Sequence, residues 1–240
     1  MFKIILRLLF YLPLNVRDSL LFKYQEALHK YQSYFFCQND LDLKLMKYIK
    51  KRNGKYLEIG AFDGLVGSVS LRLEKNLNWS GVLIEPQSDK FKKLKRFRGR
   101  KNICINSACT DSEYPKKIEL SKHGRMSFIN NNLKKININK KQHKKVAQKL
   151  LLGDDSIESC PNNTLTNLLI NNKVFNLDLA IIDVEGSESL LLAGLNLKKI
   201  NINFICIETY NFGVINKTLM KNSYQLINKL SDHDYLYKKK

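Results

Sequence analysis

YLEIGAFDGLVGSVSLRLEKNLNWSGVLIEP, at residues 56–86, is the stretch that decides the fold. It opens with a short apolar run and breaks at a glycine turn over residues 60–64. A segment with helical spacing follows, and a second apolar run at 82–84 ends on the acid Glu85. Strand, glycine turn, helix, strand and terminal acid is the order of a nucleotide-binding βαβ unit. An acid about 25 residues beyond the first glycine is placed to bind a ribose diol.

Later apolar runs continue this alternation of strands and helices. They occupy residues 102–108, 177–183 and 202–208, with helical patterns at 88–97, at 164–170 and after residue 186. Apolar strands of this kind are buried on both faces, as in parallel sheets. Residues 224–230 and 235–239 are predicted to finish the sheet as an antiparallel pair. The sequence therefore predicts an α/β fold with a doubly wound, mostly parallel, Rossmann-like sheet.

The domain organisation follows from the same pattern. Residues 1–52 are predicted to form a helical extension, and residues 53–240 one α/β domain, for which a chain of 240 residues is long enough. Residues 114–155 are an insertion into that domain, with short predicted strands at 116–120 and 126–129 and then a Lys- and Asn-rich segment. A mobile flap over a substrate and plain disorder are both interpretations of that segment.

Residues 1–12, from Met1 to Leu12, are apolar but contain Lys3 and Arg7. Because a membrane-spanning helix needs about 20 apolar residues, this segment is not expected to cross a membrane. Two interpretations remain: an interfacial helix that makes peripheral contact with a membrane, and a helix that covers an apolar face of the protein itself.

The net charge of the chain indicates which binding partners it favours, and its cysteines indicate the cellular compartment. Net charge is +19, from 41 basic and 22 acidic side chains. This excess favours anionic neighbours such as nucleic acid, anionic lipid or acidic glycans, and a composition bias of the source explains it equally well. No RRM, KH or zinc-finger signature is present and the charge is spread, which argues against RNA as the substrate, and DNA is not an expected partner. The five cysteines are odd in number and form no C-x-x-C, which predicts reduced thiols in a cytoplasmic protein.

The glycine turn distinguishes between nucleotides. NAD-binding turns have G-x-G-x-x-G, and P-loops have G-x-x-x-x-G-K-[ST]. This chain instead has Glu58-x-Gly60-x-x-x-Gly64. That pattern after a first strand is typical of class I S-adenosylmethionine methyltransferases: the turn makes room for the methionine moiety, and Glu85 can accept hydrogen bonds from the ribose hydroxyls.

The chain also resembles a named family, the FkbM-type methyltransferases, over roughly residues 38–240. The matching pieces are EIGAFDGLVGS at 58–68, NWSGVLIEP at 78–86, NSACTD at 106–111, TLTNLL at 164–169, IIDVEGSE at 181–188 and HDYLYKK at 233–239. Where the family often has S-N-T after its glycine turn, this chain has Ser68-Val69-Ser70. The resemblance implies methyl transfer from the cofactor S-adenosylmethionine, most often to a hydroxyl oxygen of a sugar or natural product.

By that resemblance, a defined set of residues would contact the cofactor. The set is Glu58, Gly60, Ala61, Asp63 and Gly64 around the methionine end, Glu85 at the ribose, Ala108 and Asp111 near the adenine, and Asp183 at the end of its strand. Asp183 is thereby predicted for the cofactor site and is also a catalytic candidate.

Carboxylates at the strand ends are the candidates for a general base. Ligands of a doubly wound sheet bind beyond the carboxyl ends of its strands, so the catalytic candidates are Asp183, Glu185 and Glu208, joined by His123 on a predicted turn. A base near a sugar hydroxyl accelerates transfer by about 10²–10⁴-fold. The alternatives are structural, since each acid can instead stabilise a helix terminus, a turn or a loop. No His and carboxylate set has metal-ligand spacing, so metal-independent transfer is predicted.

The main functional hypothesis is a cytoplasmic enzyme that O-methylates a sugar hydroxyl, with a glycan or a glycosylated small molecule as its acceptor. One alternative is an RNA-directed methyltransferase that uses the basic surface. The other is a non-catalytic binding protein that associates with the inner face of a membrane through residues 1–12.

Overall fold

The computed structural model describes residues 40–130 and 156–240. Its helices are α1 (Leu41–Met46), α2 (Ser70–Leu77), α3 (Ser88–Arg98), α4 (Leu165–Asn171), α5 (Glu188–Ala193) and α6 (Phe212–Lys221), with one turn of 3-10 helix at Gly124–Met126. Its strands are β1 (Lys55–Ile59), β2 (Ser80–Ile84), β3 (Ile103–Ile105), β4 (Ala108–Cys109), β5 (Lys117–Ser121), β6 (Phe128–Ile129), β7 (Ile157–Asn163), β8 (Asn176–Ile182), β9 (Asn201–Glu208), β10 (Tyr224–Lys229) and β11 (Asp234–Lys239).

Seven of these strands form a large sheet in the order β10-β11-β9-β8-β1-β2-β3. The five neighbouring strands β9, β8, β1, β2 and β3 are parallel to one another. At the outer side of β9, β11 pairs antiparallel with β9, and β10 pairs antiparallel with β11. In β1 every residue after Lys55 is buried, as expected for a strand covered on both faces. The predicted doubly wound, mostly parallel sheet with an antiparallel C-terminal pair is confirmed.

Helices cover both faces of the large sheet. Side chains alternate along β8, where Ala180 and Ile182 pack into one apolar cluster and Leu179 and Ile181 into the other. Buried residues of α4, α5 and α6 belong to the first cluster, and those of α1, α2 and α3 to the second. Because each face buries its own cluster, neither face of the sheet depends on the other for its packing.

The prediction of one strand over residues 102–108 is wrong. β3 ends at Ile105 and belongs to the large sheet, whereas β4 pairs with β7 in a second sheet of order β4-β7-β5-β6. Between them, the Asn106 amide donates to the carbonyl oxygens of Glu85 and Pro86 at 2.8 and 3.0 Å. These bonds hold the chain at the carboxyl edge of the large sheet, where β3 stops.

The second sheet was only partly predicted. β5 was expected, but residues 126–129 are divided between the 3-10 helix and the two-residue strand β6. β7 was not predicted, because its sequence IESCPNN is polar and contains Pro161. Only Cys160 and Asn162 are buried along β7, so it owes its position to pairing with β4 and β5 rather than to apolar burial.

Some sequence-based predictions lie outside the described ranges. They are the segment at residues 1–12, most of the helical extension and residues 131–155 of the insertion. Backbone contacts divide the chain into Met1–Phe35 and Phe36–Lys240, and the described residues belong to the second unit. None of the helices in residues 40–130 and 156–240 has the length and apolar content to cross a bilayer.

A buried arginine ties α3 to the glycine turn. Arg98 is 2% exposed, and its guanidinium donates to the carbonyl oxygen of Gly64 at 2.7 Å. It also donates to the hydroxyl oxygens of Ser68 and Ser70, at 3.1 Å each, and forms a salt bridge with Glu74 at 2.8 Å. Removing one partner of a buried charge pair is costly, because the opposite charge stays in the interior without its counterion.

We expect the Arg98→Met variant to lose about 3 kcal/mol of unfolding free energy, because the Gly64 carbonyl loses its side-chain donor and the carboxylate of Glu74 loses its cationic partner. Urea unfolding followed by circular dichroism measures the loss. The control is Arg96→Met on the exposed side of the same helix, which should stay within about 0.5 kcal/mol of the natural protein. Equal stability of the two variants would contradict the importance of this network.

Candidate cofactor and active site

The carboxyl ends of four parallel strands, and the amino end of β11 beside them, place five residues side by side. The register pairs Ile84 with Ile59, Ile59 with Ile182, and Ile182 with Ile207. One position further on these strands stand Glu85, Gly60, Asp183 and Glu208, and Glu208 pairs in turn with Asp234 of β11. We call this set, in the order Glu85, Gly60, Asp183, Glu208 and Asp234, the carboxylate row. Adjacent members are separated by about one strand spacing, 4.8 Å.

Gly60 is the one member of the row without a carboxylate, and no other residue fits there. Its φ is +81°, and a Cβ atom would lie 1.9 Å from the carbonyl oxygen of Asp183. The backbone amide of Gly60 donates to the carbonyl oxygen of Ile84, and that of Asp183 donates to the carbonyl oxygen of Ile59, at 3.1 Å each. The backbone hydrogen bonding of β1 with β2 and of β8 with β1 therefore continues into the row. The row therefore has a gap between the side chains of Glu85 and Asp183.

A cavity of about 330 Å³ lies at this edge, and all five members of the carboxylate row line it. Other parts of its wall come from the second sheet and the 3-10 helix, through Leu120, Arg125, Phe128 and Ile129. A volume of this size falls within the range of small-molecule sites, about 300–1,000 Å³. The cavity thus lies where ligands of doubly wound sheets bind.

Glu85 is oriented by the backbone on both sides. It is 2% exposed, and its carboxylate accepts hydrogen bonds from the amides of Phe62 and Gln87, at 2.8 Å each. Burial raises the pKa of Glu85 to about 7, and the two amide donors oppose that rise. Each carboxylate oxygen retains a further lone pair, which suits a ribose hydroxyl that donates a hydrogen bond.

Two buried polar atoms in the cavity wall have no hydrogen-bond partner among the described residues. They are Oε1 of Gln87, which is 3% exposed, and Oγ of Ser187, which is 1% exposed. A buried polar atom without a partner costs about 1–3 kcal/mol. The cavity is therefore complementary to a polar ligand such as S-adenosylmethionine. Neither residue was predicted, although Gln87 stands two positions after Glu85 and Ser187 lies inside the IIDVEGSE piece.

Glu58 faces the cavity but uses its carboxylate to hold the glycine loop. One oxygen accepts from the amide of Val69 at 2.8 Å, and the other accepts from the hydroxyls of Ser68 at 2.9 Å and Ser70 at 2.5 Å. The same two hydroxyl oxygens accept from Arg98. Glu58 thus fixes the loop around which the cofactor was predicted to lie.

Asp63 and Gly64 stay outside the cavity lining, and their part in the turn is local. The Asp63 carboxylate accepts from the amides of Leu65 and Val66 at 3.0 and 2.9 Å. A Cβ atom on Gly64 would lie 2.6 Å from Leu94, so this glycine allows α3 to pack closely. Both residues shape the turn, whereas Gly60 and Ala61 reach the cavity itself.

The two residues predicted near the adenine are placed differently. Ala108 lines the cavity, but Asp111 does not, and its carboxylate accepts a hydrogen bond from the amide of Glu113 at 3.0 Å. Among the catalytic candidates, Asp183, Glu185 and Glu208 line the cavity together. His123 does not: it is buried and stacks on Phe128. The structure therefore does not support His123 as a base.

Enclosure and mutual repulsion act together on the carboxylates of the row. Asp183 is accessible from the cavity but surrounded by protein, which raises its pKa well above the ordinary value, and the charges of Glu208 and Asp234 raise it further. Desolvation raises the pKa of Glu208 to about 7, with a further contribution from Asp234. Arg125 counteracts the rise at Asp183. A carboxylate with a pKa nearer neutrality is suited to act as a general base.

Glu185 adds a fourth carboxylate at this side of the cavity. It follows Asp183 by two residues and has a φ of 50°, in the left-handed region. Burial raises its pKa well above the ordinary value, and repulsion from Asp183 and Glu208 adds to the rise. Strained backbone of this kind recurs at functional sites. Asp234 and Arg125 complete the charged lining, and sequence analysis had proposed neither.

Solved structures similar to this chain include methyltransferases. A TehB-like S-adenosylmethionine-dependent methyltransferase from Corynebacterium glutamicum is 8% identical, with 93% of this chain and 97% of that chain covered and a TM-score of 0.46. A methyltransferase from Pyrococcus furiosus is 13% identical, with coverages of 94% and 98% and a TM-score of 0.47. Fibrillarin from Aeropyrum pernix, with natively bound S-adenosyl-L-methionine, is 11% identical, with coverages of 82% and 72% and a TM-score of 0.43. At these scores the likeness transfers no residue role and no substrate.

The comparison with protein families is more specific than the comparison with solved structures. No curated protein matches the chain. The family described as Methyltransferase FkbM domain matches residues 58–237. The match begins at Glu58 in β1 and ends at Tyr237 in β11, so it contains the whole carboxylate row and every residue of the cavity lining except Leu41. The chain therefore belongs to the FkbM family of methyltransferases, which use S-adenosylmethionine as their cofactor.

Proposed function

We propose that this methyltransferase acts on a hydroxyl oxygen of a sugar, in a glycan or a glycosylated small molecule. The observation that carries the proposal is the carboxylate row, in which Asp183 and Glu208 stand side by side in the cavity wall. A hydroxyl is a poor nucleophile while it keeps its proton, so its methylation needs a base of this kind. A cytoplasmic location and a carbohydrate acceptor remain part of the proposal.

The residues around the cavity fit the cofactor in parts. Glu85 would accept hydrogen bonds from the ribose, and the unpartnered Oε1 of Gln87 would accept one from a donor on the nucleoside. Gly60 and Ala61 leave room beside the row for the methionine moiety. When bound, S-adenosylmethionine supplies a methyl group already activated on a sulfonium. The protein is then left with two tasks, to align the acceptor and to remove its proton.

Asp183 is the best-placed base for that proton. It lies in the row next to the gap at Gly60, and it is accessible from the cavity. In its ionised form, a carboxylate oxygen of Asp183 accepts the hydroxyl proton, and the acceptor oxygen is then free to take the methyl group. Holding the acceptor in line supplies about 7–11 kcal/mol of barrier reduction, and proton removal adds about 10²–10⁴-fold in rate.

The first prediction from this assignment concerns cofactor binding. Isothermal titration should show S-adenosylmethionine binding to the natural protein and no measurable binding to Glu85→Ala, because the ribose loses its acceptor. Glu119→Ala removes an exposed carboxylate of β5 and serves as the matched control. Tight binding by Glu85→Ala would contradict the assignment of the ribose site.

A second prediction concerns the acceptor and the base. Transfer of a tritiated methyl group should label a sugar from a panel of simple oligosaccharides, as an ether, and should not label RNA.

The Asp183→Asn variant should lower kcat by about 10²–10⁴-fold, with Glu119→Gln as control. Because Asp183 must be ionised and its pKa is raised, kcat/KM of the natural protein should fall as pH decreases, and should do so at a higher pH than an ordinary aspartate would give. Labelling of RNA alone, or a rate independent of pH, would contradict the proposal.

Metal independence is the third prediction. Within residues 40–130 and 156–240, no group of three or more His, Cys, Asp or Glu side chains has the arrangement of a metal site. We expect methyl transfer to keep its rate in EDTA. Loss of activity in EDTA and recovery with magnesium would contradict this prediction, and would make Asp183 a candidate ligand instead of a base.

A further inference from the structure

One side of the cavity is strongly acidic. Three neighbouring positions of the large sheet, at the ends of β8, β9 and β11, hold the carboxylates of Asp183, Glu208 and Asp234. Like charges side by side on adjacent strands are destabilising. Asp234 is 6% exposed, and its carboxylate accepts a hydrogen bond from the hydroxyl of Ser231. The carboxylate of Glu208 forms no hydrogen bond or salt bridge with any described residue. A cationic ligand would stabilise the ionised form of such a cluster.

The protein and its cofactor supply few positive charges here. Of the described residues that line the cavity, Arg125 is the one arginine, none is a lysine, and His233 acts as a positive neighbour of Asp234. S-adenosylmethionine carries one net positive charge, because its ammonium and carboxylate offset each other and its sulfonium remains. With Glu185 included, the carboxylates still outnumber these cations. The rest of the chain has an excess of basic residues, +19 overall, so the acidic cluster is opposite in sign to its surroundings.

Two further features of the same side point to a ligand. Oγ of Ser187 is buried, lines the cavity and has no hydrogen-bond partner among the described residues. The rings of Tyr210 and His233 also line the cavity, with their centroids 4.2 Å apart, and Tyr210 is 54% exposed. An accessible aromatic face attracts cations and packs against apolar faces of other rings. Acid, hydroxyl and aromatic groups together form a site for a polar, positively charged ring.

We propose that the acceptor bears an ammonium group near the hydroxyl that is methylated, as amino sugars do, and that Glu208 and Asp234 bind that ammonium. This inference rests on the proposed function, and it narrows the acceptor class. Tyr210 packs against the sugar ring, and Ser187 accepts or donates a hydrogen bond to a ring substituent. Asp183, nearer the gap at Gly60, remains the base for the hydroxyl.

The same carboxylates protect the amine from methylation. An ammonium group has no lone pair, so it cannot attack the methyl carbon while Glu208 and Asp234 hold it protonated. The methyl carbon leaves sulfur and bonds to the acceptor oxygen, and the proton of that oxygen passes to Asp183. The ammonium keeps all its protons throughout. The acidic side of the cavity thereby selects the acceptor and directs transfer to oxygen.

The test uses two sugars that differ at the nitrogen. The full chain, saturated with S-adenosylhomocysteine, is titrated with a β-1,4-linked glucosamine trimer and with the N-acetylglucosamine trimer of the same length. We expect the amine trimer to bind at least ten-fold more tightly. Both Glu208→Gln and Asp234→Asn should remove that preference, and Glu119→Gln should retain it. Glu208→Gln changes a partly exposed side chain, so it tests the inference even where the buried Asp234→Asn variant is unstable.

The outcomes separate this inference from the proposed function. Binding of S-adenosylhomocysteine is measured first on the same samples. Cofactor binding with equal affinity for both trimers, or with no affinity for either, overturns the ammonium site alone. An amine preference that survives in both variants also overturns it. Absence of cofactor binding would instead contradict the assigned cofactor site, on which this inference depends.

Discussion

The contact between Gly60 and the carbonyl oxygen of Asp183 is the constraint on which the rest of the site depends. A Cβ atom in this position would lie 1.9 Å from that oxygen, so the two strands approach each other as closely as backbone allows. The contact determines where β1 and β8 end relative to each other. Through the register of β2 and β9 it also determines which residues meet at the carboxyl edge. The glycine thus aligns the acids on both sides of it.

The alignment concentrates negative charge inside a basic protein. Glu85, Glu188 and Glu208 each have a pKa raised to about 7, with desolvation as the largest cause. Raised carboxyl pKa values make a folded protein less stable as pH rises, because the folded state must release protons that the unfolded state has already lost. Groups retained at such a cost are typical of functional sites, where activity and stability compete. The arrangement is therefore better explained by chemistry than by folding.

Sequence reasoning succeeded where burial and register leave little choice. Apolar runs located the parallel strands, and strand ends that share an edge brought Asp183 and Glu208 together. It failed where polar contacts, rather than apolar burial, determine the position of a segment. β7 has few buried apolar side chains, and His123 follows β5 into a 3-10 turn whose direction no periodicity encodes. The sequence also did not predict that Glu58 holds the glycine loop. A motif indicates that a carboxylate is needed at this position, but it does not show which hydroxyl groups donate to it.

Gln87 joins two parts of the cavity that come from different sheets. Its amide N–H donates to Glu85 at 2.8 Å, and its side-chain Nε2 donates to the carbonyl oxygen of Gly124 at 3.0 Å. Glu85, which we propose binds the ribose, is thereby tied to the 3-10 helix that carries Arg125. Energetic coupling between two binding sites is reciprocal. A substitution that displaces the 3-10 helix therefore also acts on the orientation of Glu85, so this part of the cavity wall cannot change without a consequence at the end of β2.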